Sequence, residues 1–222
     1  DQTEKLNTEY GFDAPGCREN LKTVPSVYHR LEKLMDDIPK IQEYQYRLLK
    51  YYTEHYRIQK YEPCSGYVQF MFIDLCPQSF YGLYDWWGIP KKGLQAMLES
   101  NAPVGVFAKH KDYLDSLYIV NDTHEDLGQC ELTWIITEAF SGNLVEKGTV
   151  TAEIQADSCI KAKEFESGYG KEQKWNLTLI LSDYDGKCIA KNTYQDICTL
   201  LSRVDGHPER MSHEFGMRLY WA

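Results

Sequence analysis

The rhythm of apolar and polar positions changes near the middle of the chain. Up to about residue 100, helical and strand patterns are mixed. "EKLNTEYGFDAPG" predicts a short strand that ends in a loop at Gly11 to Gly16. "CRENLKTV" and "SVYHRLEKLMDDIP" predict short helices, the second bracketed by Pro25 and Pro39. Tyr44, Leu48, Tyr51, Tyr52 and Ile58 then recur near helical spacing, which predicts a longer helix over about 41–61. Pro63, Ser65 and Gly66 break it. "GYVQFMFIDL" is continuously apolar instead of alternating, the signature of a strand covered on both faces. "PKKGLQAMLESNAP" opens with a proline that suits a first helical turn and closes near Asn101 and Pro103. The order is strand, helices, strand, helix, which reads as βα units around a parallel sheet.

From residue 103 to about 200 the pattern is β almost throughout. Seven strand candidates, from "VGVFAKH" to "KCIAKNTYQDI", are separated by turn signals such as "FSGN", "ESGYGKE" and "DYDGK". Leu132, Trp134 and Ile136 recur at every second position and face one way, and so do Leu177, Leu179 and Leu181. Short strands at this spacing predict an antiparallel sandwich of immunoglobulin type. The expectation is therefore an α+β chain: βα units of barrel or doubly wound type over the first hundred residues, either a small open sheet or the tail end of something larger, and then an antiparallel sandwich over 103–222. The end of the latter, "LSRVDGHPERMSHEFGMRLYWA", reads as an irregular tail.

Composition narrows the function classes. A length of 222 residues suits one large or two small domains. Seventeen Tyr and five Trp offer many flat faces with polar handles, which suit sugar-like ligands as well as ordinary packing. A net charge of −9, with no basic cluster beyond Lys91-Lys92, argues against nucleic acid as a partner. Apolar runs are far below the roughly 18–20 residues of a membrane helix. The first residues have no apolar core of a signal peptide. Seven widely spaced cysteines without a C-x-x-C suggest reduced thiols and a cytoplasmic setting. Two N-x-T sequons, at Asn121 and Asn176, are read as chance. Asp205, His207, Glu209, His213 and Glu214 crowd the tail but lack metal-ligand spacing, so neither metal nor other cofactor is expected. Asp183, Asp185 and Gly186 are read as a β-turn, since they lack the later ligands of a calcium loop.

Particular motifs go further. "NTEYGFDAPG" resembles the late-barrel segment of glycoside hydrolase family 2, whose members carry Ser-Glu-aromatic-Gly or a close variant there. "FIDLCPQSFYGLYDWWGIPKKGLQAMLESNAPV" is similar to the eighth barrel strand and final helix of that family. "LYIVNDTHEDLGQCELTWII" and "LTLILSDYDGKCIAKNTY" resemble the sandwich that follows the barrel in its β-mannosidase and exo-glucosaminidase branch. The resemblance covers roughly Leu6 to Tyr194.

It implies a retaining exo-glycosidase acting on terminal β-linked sugars with two carboxylates about 5–5.5 Å apart. Glu9 matches the nucleophile. The acid/base partner, a Glu after an Asn, is expected upstream of the first residue. The chain is then a catalytically incomplete C-terminal segment of a larger hydrolase, with the last βα units of a (β/α)8 barrel over 1–102 and an immunoglobulin-like sandwich over 103–222. Asp74 matches a strand-end position that can reach a sugar hydroxyl, or it is a structural carboxylate paired with a nearby Lys or Arg. Tyr81, Trp86 and Trp87 could wall a pocket, or the two tryptophans could cover the joint between barrel and sandwich. Cys76 stands where the family usually has Trp, and Gln78 where Ser is usual. A barrel remnant would expose apolar faces, so a homo-oligomer is expected. The competing class is a non-catalytic sandwich module for carbohydrate binding, subunit assembly or support.

Overall fold

The computed structural model describes residues 5–110, 114–169 and 174–197. The tail with its His and Glu residues, and Cys198, lie outside the described residues. The described chain forms two compact units. The first comprises residues 5–56 and 61–100, and the second Arg57–Lys60 together with residues from 101 onward.

In the first unit, strand β1 (Leu6–Tyr10) is followed by helices α1 (Arg18–Leu21), α2 (Pro25–Leu31) and α3 (Ile38–Arg57), strand β2 (Gly66–Gln69) and helix α4 (Lys92–Ser100). β1 and β2 pair in parallel, with Leu6 opposite Gly66 and Tyr10 opposite Gln69. The expected order of elements is present, but two boundaries differ. Pro39 does not close the second helix: it lies in the first turn of α3, where its missing N–H removes only a donor that had no helical partner. α3 also stops at Arg57, before Tyr61, whose φ of 64° is left-handed. Its Ile41, Tyr44, Leu48 and Leu49 are buried, as the helical spacing requires.

A third difference is larger. The apolar run expected to be a buried strand leaves the sheet at Gln69. Phe70, Phe72, Ile73 and Leu75 are exposed, Phe72 at 68% and Leu75 at 70%. Residues 71–74 fold back along residues 81–84 instead. Met71 N–H donates to Tyr81 O, Tyr84 N–H to Phe72 O, and Asp74 N–H to Tyr84 O, at 3.0–3.2 Å. Continuous hydrophobicity marks a strand covered on both faces only when the ladder continues, and here the backbone finds its partners within its own loop. Gly82 makes that possible: a Cβ there would lie 2.4 Å from Asp74 N and 2.5 Å from Tyr84 O.

The second unit holds strands β3 (Val104–Lys109), β4 (Leu114–Asn121), β5 (Gly128–Glu138), β6 (Leu144–Ile154), β7 (Ser158–Tyr169), β8 (Trp175–Asp183) and β9 (Cys188–Ile197). They form two antiparallel sheets, ordered β3-β4-β7 and β6-β5-β8-β9. Leu117 and Ile119 from one sheet share a core with Leu132, Trp134, Ile136, Leu177, Leu179 and Leu181 from the other. The alternation read from β5 and β8 is thus the core face of a β-sandwich. Along one side β9 is tied to β3: Asn192 Nδ2 donates to Val106 O at 2.9 Å, and Ala108 N–H donates to the Tyr194 hydroxyl at 3.0 Å.

The 121–126 segment is organised by Asn121, which is fully buried. Its amide donates to Glu125 O and Gln155 O, and its carbonyl accepts from the Thr123 N–H and hydroxyl. That amide is fully engaged inside the fold, which agrees with reading its sequon as chance. Nearby, Asp122 accepts from Arg57 at 2.7 Å and from Lys60, which also pairs Asp157 at 2.7 Å. "DYDGK" is a turn in which Asp183 Oδ1 accepts from Asp185 N–H and Lys187 N–H.

The six described cysteines are free thiols. Burial pushes the Cys159 thiol up to about 11, whereas Cys188 is exposed. Alkylation of the native chain near neutral pH is expected to modify Cys188 first and to spare Cys159, as peptide mapping by mass spectrometry will show. Leu179→Ala, which empties a fully buried core position, is expected to cost about 2–5 kcal/mol in chemical denaturation of the second unit.

Candidate functional site

Glu9 stands at the C-terminal end of β1, one residue before the strand ends. Its side chain is exposed. Its N–H donates to Asn7 Oδ1 at 3.0 Å, and the Asn7 amide donates to the Tyr56 hydroxyl at 2.6 Å. The pairing of β1 with β2 is irregular between Asn7 and Tyr10, so the residues carrying Glu9 bulge out of register.

Beside it opens a cavity of about 570 Å³ lined by Glu9, Tyr10, Gly11, Phe12, Tyr52, Tyr56, Phe70 and Tyr81. Three segments of the first unit contribute: the end of β1, the buried side of α3 and the loop after β2. The aromatic walls support one another. Phe12 lies 5.2 Å from Tyr52, Tyr10 5.3 Å edge-on to Tyr56, and Phe70 6.2 Å from Tyr81, centroid to centroid. The Tyr10 hydroxyl is held against Thr53 Oγ1 at 2.7 Å, and burial raises it above the usual phenol range. Glu9 is the one carboxylate among the lining residues.

Of the residues singled out from sequence, Glu9 and Tyr81 meet at this cavity; the others do not line it. Cys76 is half-buried in a turn, its carbonyl accepting from Ser79 N–H at 3.0 Å. Trp86 is exposed. Trp87 packs against the apolar cluster of Leu21, Leu31, Ile41 and Phe80, within the same unit.

Asp74 lies beyond the end of β2, outside the strands. It is buried and pairs through Oδ2 with the equally buried Lys91 Nζ at 2.7 Å, while Oδ1 accepts from Gly82 N–H at 2.7 Å. Lys91 Nζ also donates to Phe80 O at 3.1 Å. Burial pushes the Asp74 carboxyl up and the Lys91 ammonium down, and the attraction between them offsets part of each shift. The reading of Asp74 as a structural carboxylate paired with a lysine is the one the geometry follows.

Two residues of this arrangement were not legible as functional. Asp85 is buried and holds three backbone N–H groups from two segments: Oδ1 accepts from Trp87 N–H (3.0 Å) and Ile89 N–H (2.8 Å), and Oδ2 from Cys17 N–H (3.0 Å). An Asp two residues before an amide in a Gly-containing turn is the local signal for the first of these bonds. Lys91 carries no local signal, since a lysine in a Pro-Lys-Lys-Gly turn reads as solvated. Phe12, Tyr52, Tyr56 and Phe70 were also missed as wall residues, because aromatic residues on a helix face or in an apolar run read as core.

No protein family model matches the chain, and no curated protein matches it. Solved structures do resemble it. The exo-chitosanase CsxA of Amycolatopsis orientalis superposes with a TM-score of 0.61 at 19% identity, over 72% of this chain and 19% of that one. The β-D-mannosidase of Dictyoglomus thermophilum superposes with a TM-score of 0.68 at 18% identity, over 86% of this chain and 27% of that one. The chain therefore spans about a fifth to a quarter of the length of these structures. At such identities the likeness establishes a shared fold over most of the chain.

The loop that carries Tyr81 depends on the Asp74–Lys91 pair, and a variant tests this. Lys91→Met leaves a buried carboxylate without its cation and is expected to cost about 3–5 kcal/mol. The double variant Asp74→Asn/Lys91→Met is expected to recover much of that loss, as measured by denaturant unfolding.

Proposed function

We propose that this chain is part of a retaining, exo-acting β-glycosidase of glycoside hydrolase family 2, with Glu9 as its nucleophile. The observation that carries the reading is Glu9 itself. It stands at the C-terminal end of a parallel strand, beside an aromatic-walled cavity, with its motif matching that family. The parallel β1–β2 pair with its helices is read as the last βα units of a (β/α)8 barrel. The sandwich is read as immunoglobulin-like, because its seven strands divide into β3-β4-β7 and β6-β5-β8-β9 with hairpin and cross-sheet connections. The solved neighbours act on carbohydrate by name, one as an exo-chitosanase and one as a β-mannosidase, which supports a carbohydrate substrate here.

In this reading Glu9 attacks the anomeric carbon of a terminal β-linked sugar while a second carboxylic acid protonates the departing glycosidic oxygen. The resulting ester on Glu9 is then hydrolysed by water, activated by the same second group, with net retention. That second group comes from outside these residues, so the 222-residue chain by itself turns over no glycoside. The exposed Leu6, Val68, Phe72 and Leu75 support further structure or another subunit packing on the first unit. Among the described residues no helix is long and apolar enough to cross a membrane.

Glu9→Gln in the longer protein that carries this chain is expected to lower kcat at least roughly a thousandfold while leaving the fold intact. A 2-deoxy-2-fluoro-glycoside is expected to label Glu9, detected by mass spectrometry of the peptide. Full activity in the variant, or a label on a different carboxylate, would remove Glu9 from the role.

A further inference from the structure

The two sides of the sandwich end differently. β9 is tied to β3 through Asn192 and Tyr194. β6 is the last strand of its sheet, and among the described residues no strand pairs with its outer edge. It is eleven residues long, against roughly five or six for an ordinary strand. Its pairing with β5 is regular from Gly128↔Ile154 to Ile136↔Glu146, and the irregularity comes only at the far end near Leu144. Edges of this length are normally shortened, bulged, covered or paired, because their free N–H and C=O groups template another strand.

The side chains along this edge are complementary to themselves. Lys147, Thr149, Thr151 and Glu153 form the exposed face, and Gly148, Val150 and Ala152 the half-buried one. An antiparallel second copy related by a two-fold axis at Val150 places Lys147 opposite the second copy's Glu153, twice. It places Thr149 opposite Thr151, also twice. On the other face Val150 meets its equivalent, and Gly148 meets Ala152, all small enough to lie side by side. Val145, which is exposed, falls opposite Gln155.

Moving the axis to Thr149 or Thr151 loses both ion pairs, and an axis between residues sets the exposed face against the half-buried one. Among the described residues neither Lys147 nor Glu153 has an ion-pair partner. Glu146, by contrast, is already held by the Trp134 indole at 2.9 Å. Glu131 on β5 lies opposite Thr151 on the exposed face, so the only cation among these neighbours is Lys147.

We propose that the outer edge of β6 is a self-association surface. Two copies pair through β6 about an axis at Val150, joining two four-stranded sheets into one of eight strands. The occupant is a second copy of this chain, because the charge pattern is satisfied by its own sequence run in reverse. This surface is separate from the cavity beside Glu9 and does not depend on the glycosidase reading.

Sedimentation velocity of the full chain over a concentration series tests it. The expected result is a monomer–dimer equilibrium. Lys147→Glu and Glu153→Lys are each expected to weaken dimerisation roughly tenfold, since each sets two like-charged pairs face to face. The double swap Lys147→Glu/Glu153→Lys restores the pairing and is expected to restore the wild-type dissociation constant. Phe72→Glu/Leu75→Glu, which removes exposed apolar surface from the first unit, is expected to leave the dimer intact. A wild-type chain that stays monomeric overturns the proposal. So does association that ignores the single charge reversals, that the double swap fails to restore, or that the first-unit variant abolishes. Circular dichroism of each variant separates loss of pairing from loss of fold.

Discussion

Two buried charges decide the shape of the first unit around its cavity. An isolated carboxylate or ammonium taken from water costs several kcal/mol, so Asp74 and Lys91 are tolerated inside only because each completes the other. Their pairing is reinforced by neutral groups, Gly82 N–H on the carboxylate and Phe80 O on the ammonium. Together these bonds pin both ends of the 74–91 segment, and Tyr81, which packs against Phe70, lies between them. Asp85 repeats the device without a cation: three backbone N–H groups surround its carboxylate and tie residues 87 and 89 to Cys17.

This arrangement explains how an apolar run can end in so much polar and aromatic surface. After Gln69 the backbone must find hydrogen bonds somewhere. It finds them in residues 81–84, and the inward turn of Asp74 leaves its neighbours Ile73 and Leu75 facing outward. The aromatic residues then divide by what they touch. Phe80 fills the buried cluster beneath Arg30, Tyr81 walls the cavity, Trp87 packs on the helices, and Trp86 faces solvent. Phe80, Tyr81, Trp86 and Trp87, close in sequence, therefore take four different roles in space. Cys76 sits in a turn outside the cavity wall.

The sandwich follows a simpler rule. Alternation with period two puts Leu132, Trp134, Ile136 and Leu177, Leu179, Leu181 on one face, and two such faces close on each other. Its polar ties are few and specific. Asn121 satisfies four groups, two on Thr123, one on Glu125 and one on Gln155 across the fold, and Tyr194 reaches across to the edge of the other sheet. The side without such a tie is β6, where the unsatisfied edge and the reversible charge pattern coincide.

Local pattern alone was enough for the β-rich second half, the order of elements in the first half and the strand that carries Glu9. Those features depend on periodicity and on turn residues, which act over a few positions. It was not enough for Pro39, which punctuates a sequence but merely starts a helix, or for the "QFMFIDL" run, whose hydrophobicity says nothing about where its backbone bonds go. Nor could it identify Lys91 as buried, or assemble Phe12, Tyr52, Tyr56, Phe70 and Tyr81 around Glu9. Those facts are set by contacts that reach beyond the few positions over which local pattern acts. A lysine is buried only when its carboxylate arrives from elsewhere in the chain, and a cavity wall exists only when separate segments converge.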